Sequence, residues 1–296
     1  TSRKPSGGSA VTASQTSTVV VNDAPQIECA SFNDLSGPEG QGLETSGDNG
    51  RQVVSMAWSP DGVLYAGGVF NDAGGDPNAD YLARWNGTNW EAVGPTGNVD
   101  DGFNPAITDR VTALVFDKKG NLIVGGHFNN AAGLDLADKV AIYNPTTNTW
   151  QAPDITDTFN GNIRSMSLNP TTGKVVITGL FYRVNGSDEH SGITEMDPNA
   201  NYSVSPIAAG LFNNYIHTSA YGPDGTLYIG GWLSGPDGMS YMAKYDGTTW
   251  SKAFDFPNPS RDAVRAIAFN DNKMYVGGNF NGIDVYDFNS ESWSWL

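Results

Sequence analysis

Basic residues, cysteine and long apolar runs are all scarce in this chain, and each shortage excludes something. Across 296 residues, 16 Lys and Arg stand against 32 Asp and Glu, for a formal net charge of −16. An extended nucleic-acid or anionic-membrane surface is therefore not expected, and cations or basic partners fit better. The single cysteine, Cys29, excludes an internal disulfide framework and leaves the redox compartment open. No apolar run approaches the ~20 residues that a spanning helix needs, and no cleavable signal pattern opens the sequence, so no membrane span is expected.

Glycine, by contrast, is abundant, at 36 residues, and it recurs in a fixed phrase. Residues 111–128, VTALVFDKKGNLIVGGHF, read as two short strands about a tight turn, ending in Gly-Gly and an aromatic. The phrase returns at 55–70 (SMAWSPDGVLYAGGVF), 219–233 (SAYGPDGTLYIGGWL) and 266–280 (AIAFNDNKMYVGGNF), with a degenerate copy at 165–181 (SMSLNPTTGKVVITGLF). Glycine at a strand end costs ~0.5–1 kcal/mol relative to alanine, so five copies need a reason.

Aligning the copies on the second glycine (Gly68, Gly126, Gly179, Gly231, Gly278) brings two more strands into register. A third strand ends in Trp85, Tyr143, Met196, Tyr245 and Tyr286, at offsets of 17, 17, 17, 14 and 8 residues. A fourth opens with Trp90, Trp150, Tyr202, Trp250 and Trp293, after turns such as NGTN and DGTT whose residues tolerate positive φ. The first strands start near Val53, Val111, Ile163, Ile216 and Val264, 58, 52, 53 and 48 residues apart. A lone meander of this size cannot bury both faces and must stack on neighbours around an axis.

The expected fold is therefore an all-β, five-bladed propeller of four-stranded antiparallel blades, at about 51–98, 109–155, 162–207, 214–256 and 262–296. Six blades are the alternative, if the N-terminal segment supplies further strands. The propeller domain is set at 31–296. Residues 1–30 form an extended arm and attachment strand, because residues 1–18 hold nine Ser or Thr and almost no large apolar side chain. The glycines are expected to let the second strand end against the adjacent blade. The third blade departs most, with Thr178 in place of the first glycine and Tyr202 in place of Trp, and a looser rim is expected there.

Several of these phrases resemble known repeats. Gly-Gly followed by IYNPTTNTW (142–150) is similar to the diglycine and Tyr-to-Trp spacing of kelch repeats. The links VDDGFNPAITDRVTAL (99–114) and ITDTFNGNIRSMSLNP (155–170) carry Asp and then Phe-Asn before a first strand, and Phe-Asn recurs in ASFNDLSG (30–37) and GLFNNYIHTSA (210–220). Together with LYAGGVF and ARWNGTNW, this resembles the bacterial delta-60 type of propeller repeat found in bacterial surface proteins and phage tail proteins, over about residues 30–296. The resemblance implies a non-enzymatic binding or structural module, in a virion or at an extracellular or cell surface. Residues 1–30 would then bind other proteins of the assembly, and the propeller a glycan or protein receptor. The alternative is a secreted carbohydrate-binding or carbohydrate-active propeller.

In such blades the second-to-third-strand loops and the blade-to-blade links emerge on one face, and these are the long, variable segments, so ligand contacts are expected there. The candidate residues are Asp72, Asp76, Asp80, Asp135, Asp138, Tyr182, Arg183, Asp188, Glu189, His190, Asn213, Tyr215 and Asp237. Aromatic rings offer an apolar face to a sugar, and amides pair with hydroxyls. No cofactor is expected. Calcium is the one metal the pattern admits, at Asp72, Asp76 and Asp80, where the competing role is that of ordinary turn residues.

Catalytic patterns are weak. Copper-oxidase chemistry would need a Tyr-Cys pair and several His ligands, but Cys29 precedes the first blade and His127, His190 and His217 fall in different repeats. The arginines (Arg51, Arg84, Arg110, Arg164, Arg183, Arg261 and Arg265) read as scattered, with no cluster to clamp a carboxylate. Only a pair of loop carboxylates, converging at the ~5–10 Å that glycoside hydrolysis requires, stays open.

Overall fold

Alternating apolar and polar residues bounded by Asn-Gly and Asp-Gly turns give short strands that meander. In the computed structural model, which describes residues 52–95, 110–208, 211–254 and 263–296, they form five separate sheets of four antiparallel strands. Blade one holds β1 (Gln52–Trp58), β2 (Leu64–Val69), β3 (Leu82–Trp85) and β4 (Trp90–Ala92). Blade two holds β5 (Val111–Phe116), β6 (Leu122–Gly126), β7 (Val140–Asn144) and β8 (Thr149–Gln151), and blade three β9 (Ile163–Leu168), β10 (Val175–Gly179), β11 (Ile193–Asp197) and β12 (Ser203–Ser205). Blade four holds β13 (Asn213–Tyr221), β14 (Leu227–Ser234), β15 (Ser240–Tyr245) and β16 (Trp250–Lys252). Blade five closes the series with β17 (Val264–Asn270), β18 (Lys273–Gly278), β19 (Asp284–Asp287) and β20 (Ser292–Trp295). The first strands β1, β5, β9, β13 and β17 stand side by side in that order, so the blades ring an axis with their first strands innermost. Among the described residues the only helical pieces are short 3-10 turns. The N-terminal arm, the Phe-Asn pairs before blades one and two, and the question of a sixth blade all lie outside the described residues.

The core lies between blades. Tyr65 and Leu82 of blade one pack with Val111 and Leu114 of blade two, Ile123 and Ile142 of blade two with Ile163 and Ile177 of blade three, and the series continues to Tyr228 and Met242 against Val264 and Met274. The third- and fourth-strand aromatics meet in four of the blades. Trp85 opposes Trp90, Tyr143 opposes Trp150, Tyr245 opposes Trp250 and Tyr286 opposes Trp293, with ring centroids 4.9–5.5 Å apart. Pairs of this kind add ~0.5–1.5 kcal/mol beyond the area they bury.

The two glycines of each pair do different work. In blades one, two and four a Cβ on the first would strike the next blade: Gly67 faces Val111, Gly125 faces Ile163 and Met166, and Gly230 faces Val264. This is the inter-blade approach expected from the sequence. A Cβ on the second would strike the blade's own first strand, where Gly68 lies on the carbonyl of Gln52, Gly126 on Arg110, Gly179 on Asn162, Gly231 on Tyr215 and Gly278 on Ala263. Immediately beyond that contact each first strand carries one extra residue, a β-bulge, at Val54, Thr112, Arg164, His217 and Arg265.

The rim of blade three is not loose, contrary to expectation. Tyr202 is buried, and its hydroxyl donates to Asp117 Oδ2 of blade two at 2.8 Å while accepting from Asn121 Nδ2 at 2.6 Å. Burial, the hydrogen bond to Asp117 and that residue's charge together raise the phenol pKa far above its ordinary value. Replacing an indole by a phenol exchanged a rim ring for a hydroxyl able to reach the neighbouring blade.

Candidate functional site

Strand order sends the β2–β3, β6–β7, β10–β11 and β14–β15 loops to the same end of the ring as the starts of the innermost strands. The carboxylates in these loops are divided by their backbone. Asp80 Oδ1 accepts from the Asp72 amide at 2.8 Å, and Asp138 Oδ1 accepts from the Asn130 amide at 2.7 Å, the same bond in successive blades. Asp76 takes the amides of Asn78 and Ala92, both at 3.0 Å. Short carboxylates bond nearby backbone in this way when a turn exposes unpaired N–H groups. Asp72 and Asp237 sit at left-handed φ of 51° and 54° at the turn corners. Asp72, Asp135, Asp188, Glu189 and Asp237 stay exposed and form an acidic rim. Among the described residues no three His, Cys, Asp or Glu side chains gather as a metal site requires.

The third-blade loop holds the other candidates, and they are not one constellation. Arg183 Nε donates to Asp188 Oδ1 at 2.8 Å in an exposed ion pair, which lowers the Asp188 pKa and raises that of the guanidinium. His190 is buried, with Nδ1 2.8 Å from Thr194 Oγ1. The threonine hydroxyl donates its one proton to the Ser205 carbonyl at 2.9 Å, so Nδ1 carries the imidazole proton, and burial keeps this ring's pKa below its ordinary value. Asn160, from the Phe-Asn link, accepts from the Tyr182 and Arg183 amides at 3.0 and 2.9 Å, while Phe159 stacks edge-on against Phe181. The link is a clasp for this loop.

Aromatic surface collects on blade four instead. Its first two strands, nine and eight residues long, rise above those of the other blades at the loop end, because β13 begins at Asn213 and β14 runs on to Ser234. Tyr215 and Trp232 are directly opposed at the base of this extension, at the register that Gln52 and Val69 hold in blade one; they are 45% and 54% exposed, and Tyr182 of blade three is 61% exposed. Trp232 was not among the sequence candidates, since it follows Gly-Gly and reads as core. Its column in the repeat, Val69, His127, Leu180, Trp232 and Asn279, holds every type of residue, and that variability was the available sign.

Within the ring of innermost strands lies a cavity of about 220 Å³, to which all five blades contribute. The bulge residues Val54, Thr112, Arg164, His217 and Arg265 line it, one from each blade and each near the start of its strand, hence at the loop end. A bulge re-aims a side chain that the ladder would otherwise direct to a sheet face. The arginines are therefore not all scattered: Arg164 and Arg265, 101 residues apart, flank one opening. His217 lies between them, and burial, followed by the charges of Arg265 and Arg164, lowers its pKa to about 4. Arg265 Nε is held by Asn279 Oδ1 at 3.1 Å, and Thr112 Oγ1 donates to the Ile163 carbonyl at 2.7 Å, tying blade two to blade three.

Among the described residues no helix is long and apolar enough to cross a membrane. No curated protein matches the chain in a sequence search. Solved propellers align at low identity and show the fold alone. The extracellular domain of the hybrid two component system BT4673 from B. thetaiotaomicron matches at 13% identity and a TM-score of 0.56, covering 84% of this chain and 28% of that one. PorZ, an essential bacterial surface component of the type-IX secretion system of Porphyromonas gingivalis, matches at 17% and 0.54, with 82% and 34% covered. Virginiamycin B lyase from Staphylococcus aureus matches at 9% and 0.52, with 82% and 69% covered. The chain thus spans about a third or less of the first two. A family model, by contrast, matches residues 96–268, more than half of the sequence and spanning blades two to four. On that match the chain belongs to the family of the Rax2 C-terminal beta propeller domain.

Proposed function

We propose that the chain is a non-enzymatic binding module displayed on an exposed surface, of a cell or of a virion, which engages a glycan with the loop end of its propeller. The observation that carries this reading is the opposed pair Tyr215 and Trp232, two large exposed rings on the longest first and second strands among the described residues. Two large rings left in water on a rigid ladder present a flat apolar face, and such a face stacks on sugar rings. Surface display is supported by the net charge of −16 and by the resemblance of the repeats to those of bacterial surface and phage tail proteins. It is also in keeping with the extracellular and surface settings named for two proteins of similar fold. Attachment to a larger assembly is assigned to residues 1–30 on their Ser/Thr-rich composition.

A panel of immobilised neutral oligosaccharides tests the reading. The full chain should retain at least one glycan, and the double variant Y215A/W232A should lose at least about tenfold in affinity with an unchanged melting temperature, since both rings are exposed. Mass spectrometry of the panel after a day should show no glycan shortened. Failure to retain any glycan sinks the binding reading, and a shortened product sinks the non-enzymatic one.

A further inference from the structure

The axial opening has a chemistry opposite to that of the protein around it. The chain carries 32 acidic residues, yet among the described residues lining the cavity there is no carboxylate, while Arg164, His217 and Arg265 all contribute. These three come from successive blades, three to five, at the same position of the repeat. The placement comes from the bulges, so it is built into the scaffold and does not depend on loop conformation. Around it stand the exposed carboxylates of the β2–β3-type loops, Asp72, Asp135, Asp188 and Asp237.

We propose that this opening is an anion site that takes a single carboxylate group borne on an otherwise uncharged ligand. Guanidinium groups are matched to carboxylates by their planar fork of donors, and Arg265 is already oriented through Nε, which turns its two terminal nitrogens to the recognition task. His217 sits between the two cations and stays neutral at physiological pH, so it serves as a hydrogen-bonding group and adds no third charge. The cavity, at about 220 Å³, has room for roughly seven waters at ~30 Å³ each, which is the scale of one acidic sugar or one side chain. The acidic rim sets the selectivity. Within a Debye length of ~8–10 Å a polyanion meets repulsion from the rim, whereas one carboxylate entering along the axis meets mainly the arginines.

The site is independent of whether the Tyr215–Trp232 face binds glycans, and it is probed with small molecules. D-glucuronate, D-glucose, N-acetylglutamine and a heparin tetrasaccharide are titrated into the full chain, with the imidazole signal of His217 assigned through H217Q and followed by NMR. Glucuronate or N-acetylglutamine should bind at about 1 mM or tighter and shift the His217 signal, and glucose should do neither. R265Q, at an exposed position that leaves the fold intact, should weaken that binding at least about tenfold, and R164Q should act in the same direction. Which of the two carboxylates binds better distinguishes a sugar acid from a peptide acid as the natural source. Glucose binding as well as glucuronate, neither carboxylate binding, or R265Q leaving the affinity unchanged would overturn the site. Heparin binding more tightly than either monocarboxylate would overturn the single-charge selection.

Discussion

At the junction of blades two and three, Gly125 lies against Ile163 and Met166 of the next blade, and Ile163 has no exposed surface. At the junction of blades five and one, the corresponding Gly277 would meet nothing within 4 Å among the described residues if it gained a Cβ, and Val53, the counterpart of Ile163, is 41% exposed. Val54 and Met56 on the same strand are 43% and 63% exposed. The sequence phrase is the same in both places. The difference teaches that the first glycine of a pair is needed by the neighbouring blade and not by its own, so the same residue can be indispensable at one junction and idle at another.

Stability measurements can break or sharpen this contrast. The largest effect is expected from the buried strand starters: Ile163→Ala should cost ~2–5 kcal/mol, as truncation of a fully buried Ile does, while Val53→Ala should stay within ~0.5 kcal/mol. Denaturant unfolding with unchanged m-values measures both, and equal losses would show the fifth junction to be packed like the others. Next come the first glycines. Gly125→Ala forces a methyl into Met166 and to within 2.8 Å of Ile163 Cγ2, which should cost ~1–3 kcal/mol. Gly277→Ala should be neutral or stabilising by up to ~1 kcal/mol, because alanine narrows the unfolded ensemble. A large loss at Gly277 would make the two junctions alike.

The smallest effect is a pH dependence at the axis, where the junctions converge. His217 titrates at about 4 when folded, beside Arg164 and Arg265, and near ~6.5 when unfolded. Between those values the unfolded chain binds a proton that the folded one does not, so this contribution is present above pH ~6.5 and lost as the pH falls towards 4. The melting temperature should decline across that window, and H217Q should flatten the decline, leaving the part due to buried His190, whose pKa is lowered in the same direction. An equally steep decline in H217Q would remove His217 from the account.

The blades were legible in the sequence because each strand carries its own punctuation. Gly-Gly, or Thr-Gly in blade three, marks the second strand, a large side chain ends the third and an aromatic opens the fourth, and these mark the meander that repeats in every copy. The bulge was not legible. Its extra residue is Val54, Thr112, Arg164, His217 or Arg265, five positions with four identities, so no composition signal marks the column, and Arg164 and Arg265 looked unrelated. The second glycine was its trace, since only a residue without Cβ lets the bulged strand lie so close. The loop carboxylates were legible as charge but not as partners. Asp76, Asp80 and Asp138 take amides of their own blade, a choice made by turn geometry that spacing alone does not reveal.

Because the extra residue of each innermost strand stands outside the ladder's pairing, its identity is decoupled from the scaffold that holds it. Aliphatic, hydroxyl, imidazole and guanidinium groups already occupy this position in different blades of one molecule without altering the strand order. The hub of the wheel thus offers five interchangeable sockets, whose side chains can be exchanged one at a time while the spokes remain as they are.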